Sequence, residues 1–411
     1  MRSSAKLKIR NPWVVVLSAS LFFVFEFFQS NMFNVLEPHI MQEFNISSTH
    51  LSFLASFHLW GTVLFLLPAG LLVDRLSVRK LILVAMGSSI LFTVAFSQTH
   101  SFQLASLFRL LVGVCAGPFC VVSAMKLSSQ WFPLNRLSFV TGCIVSMGML
   151  GAVCAQIPML WLVTHYGWRS AILVDAGIGA LLWAIIYLNV YDKPDPKAAL
   201  DRTPLAIRLK QVVSLFDNWK AVLCASAMNL PIPIFGSLFA NLFLNERYGF
   251  SRDVAAGISS MLFIGMIVGS PLMGWLSGQW QSRKKPMMLG AVTSLVVLLG
   301  VLLGDHCASW VMATAFFVLG VGVSGHTLVY PYLAETNAPQ LTATAIALAG
   351  VALIGGGAIA QPAVGYFIDV VRSASISSAN DFVVPFALLP AAQLLAVLII
   401  FFMKESFGGR R

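Results

Sequence analysis

The sequence predicts an all-α integral membrane protein with 12 transmembrane helices in two pseudo-symmetric six-helix bundles. Three observations carry that expectation. Hydrophobic residues make up 58% of the 411-residue chain and charged residues only 10%, with a mean hydropathy of +0.84. Soluble domains carry about 25% charged residues, so there is too little polar surface here to cover a globule in water. Apolar runs long enough to cross a bilayer recur from end to end, and the second half of the chain echoes the first.

A hydrocarbon core about 30 Å thick needs roughly 20 apolar residues per helix. Such runs lie near 13–36, 51–74, 80–98, 103–129, 137–162, 170–190, 219–244, 254–278, 286–304, 309–333, 341–369 and 382–403. They are continuous rather than alternating, which argues against a β-barrel. The first follows MRSSAKLKIRNP, lacks a small-residue cleavage site and is too long for a signal peptide, so it reads as a retained helix. With both termini in the cytoplasm, all but five of the 26 Lys and Arg fall in cytoplasmic segments or at their helix ends. That is the positive-inside bias. Arg169, Arg247, Arg252 and Arg372 fall outside, and Arg109 lies within a helix. The bias accounts for the net charge of +10 without any nucleic-acid partner. Cys115, Cys120, Cys143, Cys154 and Cys224 sit within helices and Cys307 has no external partner, so neither a disulfide framework nor a metal spacing is present.

The charged, proline-containing stretch from Tyr191 to Asn218 divides the chain into a six-helix bundle over 1–190, a cytoplasmic linker over 191–218 and a second six-helix bundle over 219–411. Asn11 through Ser20 lines up with Asp217 through Ser226, and Gly70 through Lys80 with Gly274 through Lys284. Related halves suggest a transporter whose substrate site lies between them near the midplane.

The stretch GLLVDRLSVRKLIL, residues 70–83, is the most specific local signal. Gly70 would let its helix approach a neighbour closely, and Asp74 at a helix end could clasp Arg75, Arg79 and Lys80 as a cytoplasmic latch. The segment resembles the signature G-x-L-a-D-r-x-G-r-k of the major facilitator superfamily, with Ser77 and Val78 departing from the pattern. Its second-half copy keeps Gly274, Arg283, Lys284 and Lys285, but Gly278 takes the acidic position. Arg109 to Gly113 looks like the family's R-x-x-x-G, WFPLNR at 131–136 its loop after helix 4, and GWR at 167–169 its common sequence after helix 5. The resemblance spans the chain and implies alternating access while leaving the solute open. The first two helices are also similar to those of bacterial phagosomal-type transporters of amino acids or nucleosides.

Near the start, five phenylalanines surround one carboxylate in FFVFEFFQSN, residues 22–31. An acid at a bilayer centre costs about 2.5–3.5 kcal/mol on insertion scales, so Glu26 needs a partner or a proton. At about 1.5 Å per residue, Glu26 and Arg109 both lie about 20 Å from the cytoplasmic side, and the resemblance places their helices around a central cavity. A Glu26–Arg109 charge pair is therefore expected as the proton-coupling site, with a purely structural carboxyl as the alternative. Gly113 and Gly117, on the stripe of Arg109, should let another helix come close.

Candidate substrate contacts are Gln29, Ser30 and Phe33 on the face of Glu26, Asn229 and Asn241 flanking Pro231 and Pro233, His326 and Tyr330 in the tenth run, and Gln361 beside Pro362. The two prolines should kink the seventh helix and free carbonyls. Each polar residue has a plainer reading as a tie between helices. His58 looks less promising, and Asp175 is expected to play a structural role beside Arg169. The fifth run lacks the Gly-Pro pair typical of drug–proton antiporters in the superfamily, which favours an importer over an exporter of drugs or siderophores. The expectation is a monomeric secondary transporter in a bacterial inner membrane, moving an amino acid, nucleoside or small organic acid with protons. Its partners are that solute, protons and membrane lipid. No metal cluster, phosphate-binding loop or nucleophile–base pair points to an enzyme or to a cofactor.

Overall fold

The computed structural model describes residues 11–132, 134–192, 205–304, 307–338, 341–373 and 383–407. No strand occurs among them. The helices in chain order are α1 Pro12–Asn31, α2 Phe33–Phe44, α3 Ser48–Arg75, α4 Val78–Gln98, α5 Phe102–Trp131, α6 Leu134–Cys154, α7 Ile157–Asn189, α8 Leu205–Ser214 and α9 Phe216–Asn229. A π-helix at Ile232–Phe239 leads into α10 Ala240–Tyr248, followed by α11 Arg252–Gln279, α12 Lys284–Leu303 and α13 Ser309–Val323. A 3₁₀ turn at Ser324–Leu328 precedes α14 Val329–Thr336, α15 Thr342–Ser373, α16 Val383–Phe386 and α17 Leu388–Phe402.

Among the described residues, 11 helical stretches are long and apolar enough to cross a membrane. The longest, Val140–Asn189, has 50 residues. As one straight helix it would measure about 75 Å, more than twice the hydrocarbon thickness. Gly167 breaks it, at φ +78° and ψ 158°, a conformation open to glycine because it has no Cβ. The expected 12 spans depend on counting the two sides of Gly167 separately. Leu64, Val84, Leu91, Val296, Phe401 and Phe402 are each more than 60% exposed, an outer surface suited to acyl chains.

Three element boundaries differ from expectation. The first span runs on through Met32, which keeps helical angles, into α2, and stops where Asn45 turns left-handed at φ 48°. The seventh run extends to Tyr248 and is capped by left-handed Gly249. The expected linker contains α8, and α9 already begins at Phe216.

The repeat is visible in the packing. A Cβ on Gly61 would come within 2.3 Å of the Leu110 carbonyl oxygen, and one on Gly113 within 2.0 Å of the His58 carbonyl oxygen. In the second half the same interlock joins α11 and α13: Gly265 faces the Phe317 carbonyl at 2.1 Å and Gly320 the Leu262 carbonyl at 2.0 Å. Neither pair of helices could approach this closely with side chains in those places.

Both halves also cap a helix with a distant carboxylate. Asp192, after α7, accepts from the Ser77 hydroxyl and from the Arg79 amide at 3.0 Å, at the start of α4. Glu405, after α17, accepts from the Ser282 hydroxyl and from the Arg283 amide at 2.7 Å, at the start of α12. Carboxylates there meet unpaired amides and the positive end of the helix dipole.

We expect Gly113→Val and Gly320→Val each to cost about 1–3 kcal/mol through overpacking, read as a lower Tm and aggregation on size-exclusion chromatography. A second expectation concerns Glu43, which accepts from Arg169 at 2.8 Å. The hydrogen bond from Arg169 holds its carboxyl below the usual value of 4.5. A depressed carboxyl stabilises the fold above its unfolded pKa, and that contribution disappears as pH falls through the folded value. Glu43→Gln should lower Tm at neutral pH by the equivalent of at most about 1 kcal/mol, with the difference from the wild type vanishing in strong acid, where Glu43 itself is protonated.

Candidate functional site

Five polar side chains meet in the packed interior between α1, α3, α5 and α7. Glu26, Gln29, His58, Arg109 and Asp175 are each at most 5% exposed. His58 Nε2 lies 2.7 Å from Glu26 Oε1. Gln29 Nε2 donates to Asp175 Oδ2. Arg109 Nη2 donates to the Gln29 backbone carbonyl at 3.3 Å, and its guanidinium carbon sits 4.4 Å above the centre of the Phe33 ring.

This arrangement corrects two expectations. Glu26 pairs with His58, and no ion pair within 4.0 Å joins it to Arg109 among the described residues. The cause is the glycine interlock: with α3 pressed onto α5 at Gly113, the imidazole of His58 comes within reach of Glu26, while Arg109 turns to a backbone oxygen and an aromatic face. Arg109 still feels the charge of both Glu26 and Asp175. Asp175 is not a partner of Arg169, which instead binds Glu43 and the Ser97 carbonyl oxygen.

The cluster is incompletely satisfied. Glu26 Oε2, Gln29 Oε1, His58 Nδ1, and Arg109 Nε and Nη1 are buried with no hydrogen-bond partner. Buried polar atoms are normally paired, so orphans concentrated in one place mark water, a proton or a ligand. A structural network alone would leave few such atoms.

A second polar network ties the two halves together next to it. Asn34 Nδ2 donates to Gln156 Oε1 at 3.0 Å. The Asn241 amide reaches Asn34 Oδ1, and its side-chain nitrogen reaches the Asn34 carbonyl, both at 3.0 Å. Ser237 Oγ donates to Asn31 Oδ1 at 2.7 Å. The π-helix supplies acceptors for this network: the Gly236 carbonyl accepts from Gln156 at 3.3 Å and the Pro233 carbonyl from Gln361 at 2.9 Å. Farther out, at the end where α3 begins, Asp369 of α15 accepts from the amides of Ser48 at 3.0 Å and Thr49 at 2.7 Å, and from the Thr49 hydroxyl at 2.6 Å. Arg372 reaches Ser48 Oγ at 3.2 Å and Glu246 at 3.7 Å. A second-half carboxylate thus caps a first-half helix, and these bonds form a seal between the halves at this end.

The other candidates are scattered. Asn241 belongs to the seal, Asn229 reaches the Leu353 carbonyl at 3.4 Å, and Gln361 keeps a buried, unpartnered Oε1. His326 lies in the 3₁₀ turn with Nδ1 2.8 Å from the Val323 carbonyl. Ser30 and Tyr330 are half-buried, and Phe33 is buried beneath Arg109. At the opposite end Arg79 does not await a clasp: Nη2 donates to the Tyr187 carbonyl at 2.7 Å, and the guanidinium stacks 4.4 Å from the Tyr191 ring. Lys80 donates its amide to Ser77 Oγ at 3.2 Å. Gly70 is not a close-approach point, since a Cβ there would meet nothing within 4 Å; Gly61 and Gly113 do that work on this helix pair. The side chains of Asp74 and Arg75 lie outside the described residues.

Paired helical halves, a buried charge cluster and an inter-half seal define a polytopic membrane transporter rather than an enzyme. The family model of the Major Facilitator Superfamily matches residues 19–362 and 224–409. The chain belongs to the Major Facilitator Superfamily. It is 23% identical over 399 residues to the uncharacterized transporter YybO of Bacillus subtilis, covering 89% of each chain. It is 25% identical to the D-galactonate transporter of Escherichia coli O6:H1, over 64% of this chain and 68% of the relative. It is also 24% identical to the probable nitrate/nitrite transporter NarK2 of Mycobacterium tuberculosis, over 96% and 95%. Its fold is similar to that of a bacterial homolog of the human lysosomal transporter Spinster in an inward-facing, unoccupied conformation, with a TM-score of 0.74 at 18% identity over 96% and 98% of the chains. The nucleoside transporter NupG gives 0.75 at 14% identity over 95% and 99%.

A Thr49→Cys/Asp369→Cys pair, placed in a background without the six native cysteines, should cross-link readily on oxidation in membranes and raise Tm. Failure to cross-link, read by gel mobility after proteolysis between the halves, would show that this end is open in the bilayer.

Proposed function

We propose that the chain imports a small polar metabolite with protons across a bacterial inner membrane by alternating access, as a monomer with both termini cytoplasmic. The observation that carries this is the Glu26–His58 contact of 2.7 Å, buried among phenylalanines with an unpartnered oxygen and nitrogen on its two sides. A carboxyl and an imidazole in contact can share one proton, and hydration as the site opens to either bath changes how tightly they hold it. His58 is the immediate partner in this reading, and Arg109 is a fixed charge that keeps the site from becoming too negative. Among amino acids, nucleosides and organic acids, a small acid fits best. Arg109 offers two unpartnered nitrogens, and relatives are named for galactonate and for nitrate or nitrite.

Ser30, Phe33, His326, Tyr330 and Gln361 are the proposed solute contacts. Asn229, and Asn241 in the seal, serve instead as ties. The cytoplasmic gate is assigned to the segment from Gly70 to Lys80 with Asp74 and Arg75, its register fixed by the hold of Asp192 on Ser77 and Arg79.

A thermal-shift screen against pooled metabolites, with D-galactonate and nitrate as first probes, identifies the solute. Proteoliposomes should then accumulate it only under an imposed pH gradient. Glu26→Gln should abolish gradient-driven accumulation while retaining solute exchange. Accumulation by that variant with unchanged pH dependence would refute the coupling role.

A further inference from the structure

The coupling site just proposed contains a second carboxyl that neither the superfamily signature nor the mechanism above employs. Asp175 lies on α7, 2% exposed, in a helix whose other charged residue among Trp168–Asn189 is Arg169, held at its far end by Glu43. It touches the cluster through Gln29, whose amide nitrogen donates to Asp175 Oδ2 while its backbone carbonyl accepts from Arg109. Gln29 is one turn from Glu26 on α1. Both carboxyls therefore face a single fixed cation, and Arg109 is the charge that both sense.

The groups that could disturb this balance are accounted for. On α1 and α3 they are Glu26 and His58, and on α5 Arg109 itself and the buried thiol of Cys120, which lies near enough to sense Glu26. α4 carries Arg79 and Lys80 at its start, where Arg79 is held by the Tyr187 carbonyl, 12 residues beyond Asp175. On α2, Glu43 is paired with Arg169, and Glu37 and His39 face Arg252 of α11 and, for Glu37, Glu246 and Arg372 at the sealed end. The described side chains of α6, Val140–Cys154, include no acid or base other than cysteine.

Charge counting then has a definite result. Arg109 contributes one positive charge under all physiological conditions, the two carboxylates two negative charges, and neutral His58 none. An enclosed site with a net charge is unstable in a low-dielectric surround. One added proton neutralises it, whether it rests on Glu26, Asp175 or His58.

We propose that Asp175 is the second carboxyl of the coupling site and that neutrality of the group formed by Arg109, Glu26 and Asp175 sets its load at one proton. This rests on the transport reading above. It differs from simple titration of the imidazole, because it makes the number of carboxylates, and not His58, decide how many protons are bound.

The experiment counts protons taken up by purified full-length protein in detergent when the solution is stepped from mildly alkaline to mildly acidic pH. It needs no knowledge of the solute. Relative to wild type, Asp175→Asn and Glu26→Gln should each take up one proton fewer, Arg109→Gln one more, and His58→Gln the same number. In proteoliposomes Asp175→Asn should keep solute exchange and lose dependence on the pH gradient. An unchanged count in Asp175→Asn, or a loss in His58→Gln, overturns the proposal even if wild-type uptake is proton-driven. Wild-type uptake indifferent to the gradient would instead refute the transport coupling and leave the count to stand or fall alone. Gln29→Leu checks position: the count should stay at the wild-type value while the pH midpoint of uptake moves. If Asp175→Asn does not fold, Arg109→Gln decides, because a second added proton there requires the second carboxyl and an unchanged count overturns the proposal.

Discussion

The contact on which the rest of the molecule depends is the backbone approach of α3 to α5 at Gly61 and Gly113. Two carbonyl oxygens sit where methyl groups would otherwise stand, so the two helices meet closer than side-chain packing permits. In a bilayer, where lipid tails are as apolar as the helix surface, such contact rather than hydrophobic burial holds helices together. It also places His58 against Glu26 and leaves Arg109, one turn away from Gly113, facing α1. The chemistry of the cluster follows from packing. The equivalent interlock of Gly265 and Gly320 in the second half positions no comparable charges, so the repeat preserves the scaffold while the buried charge cluster lies in the first half.

The longest irregular stretch of helix lies where the halves meet. Pro231 and Pro233 cannot donate, and the chain answers with a π-helix at Ile232–Phe239. A π-turn widens the ring and leaves carbonyls for outside donors. Gln156 and Gln361 take two of them, one from each half of the chain. Bare backbone oxygens in a membrane interior are costly unless satisfied, so both bonds stabilise the distorted segment, and the one from Gln156 also joins the halves.

Much of this was legible in the sequence, and the reasons divide cleanly. Span positions follow from hydropathy, because the bilayer imposes length. Kinking at Pro231 and Pro233 follows from a missing donor. The close approach at Gly113 follows from small residues on a helical stripe, yet Gly70 looked equally suitable and has open space beside it. Sequence spacing gives the face of a helix but not what stands opposite. Pairing failed for the same reason: depth alone matched Glu26 to Arg109, while the lateral position of α3 decided for His58. Asp175 carries the same signal as Glu26, a lone acid in an apolar run, and its expected place beside Arg169 rests on nearness in sequence alone. Capping of α3 by Asp369, across 320 residues, has no local signature at all.

The arrangement of α1 and α2 makes the coupling proposal mechanically specific. Glu26 and Gln29 belong to the charge cluster, and Asn31 and Asn34 to the seal between halves. Eight helical residues span about 12 Å, and Phe33, between the two asparagines, lies under Arg109. Coupling between two sites requires an element with two arrangements that both sites bias. This segment touches both, and the join of α1 to α2 at Met32 falls between the two asparagines of the seal. A change in cluster charge that shifts Arg109 off Phe33 acts on the segment that bears Asn31 and Asn34, whose bonds to Ser237 and Asn241 must break for the halves to part at this end. The energy available is that of one buried charge gained or lost, several kcal/mol, against a few hydrogen bonds of about 1 kcal/mol each. Those magnitudes are comparable, which is the condition for a proton to tip the balance without locking it.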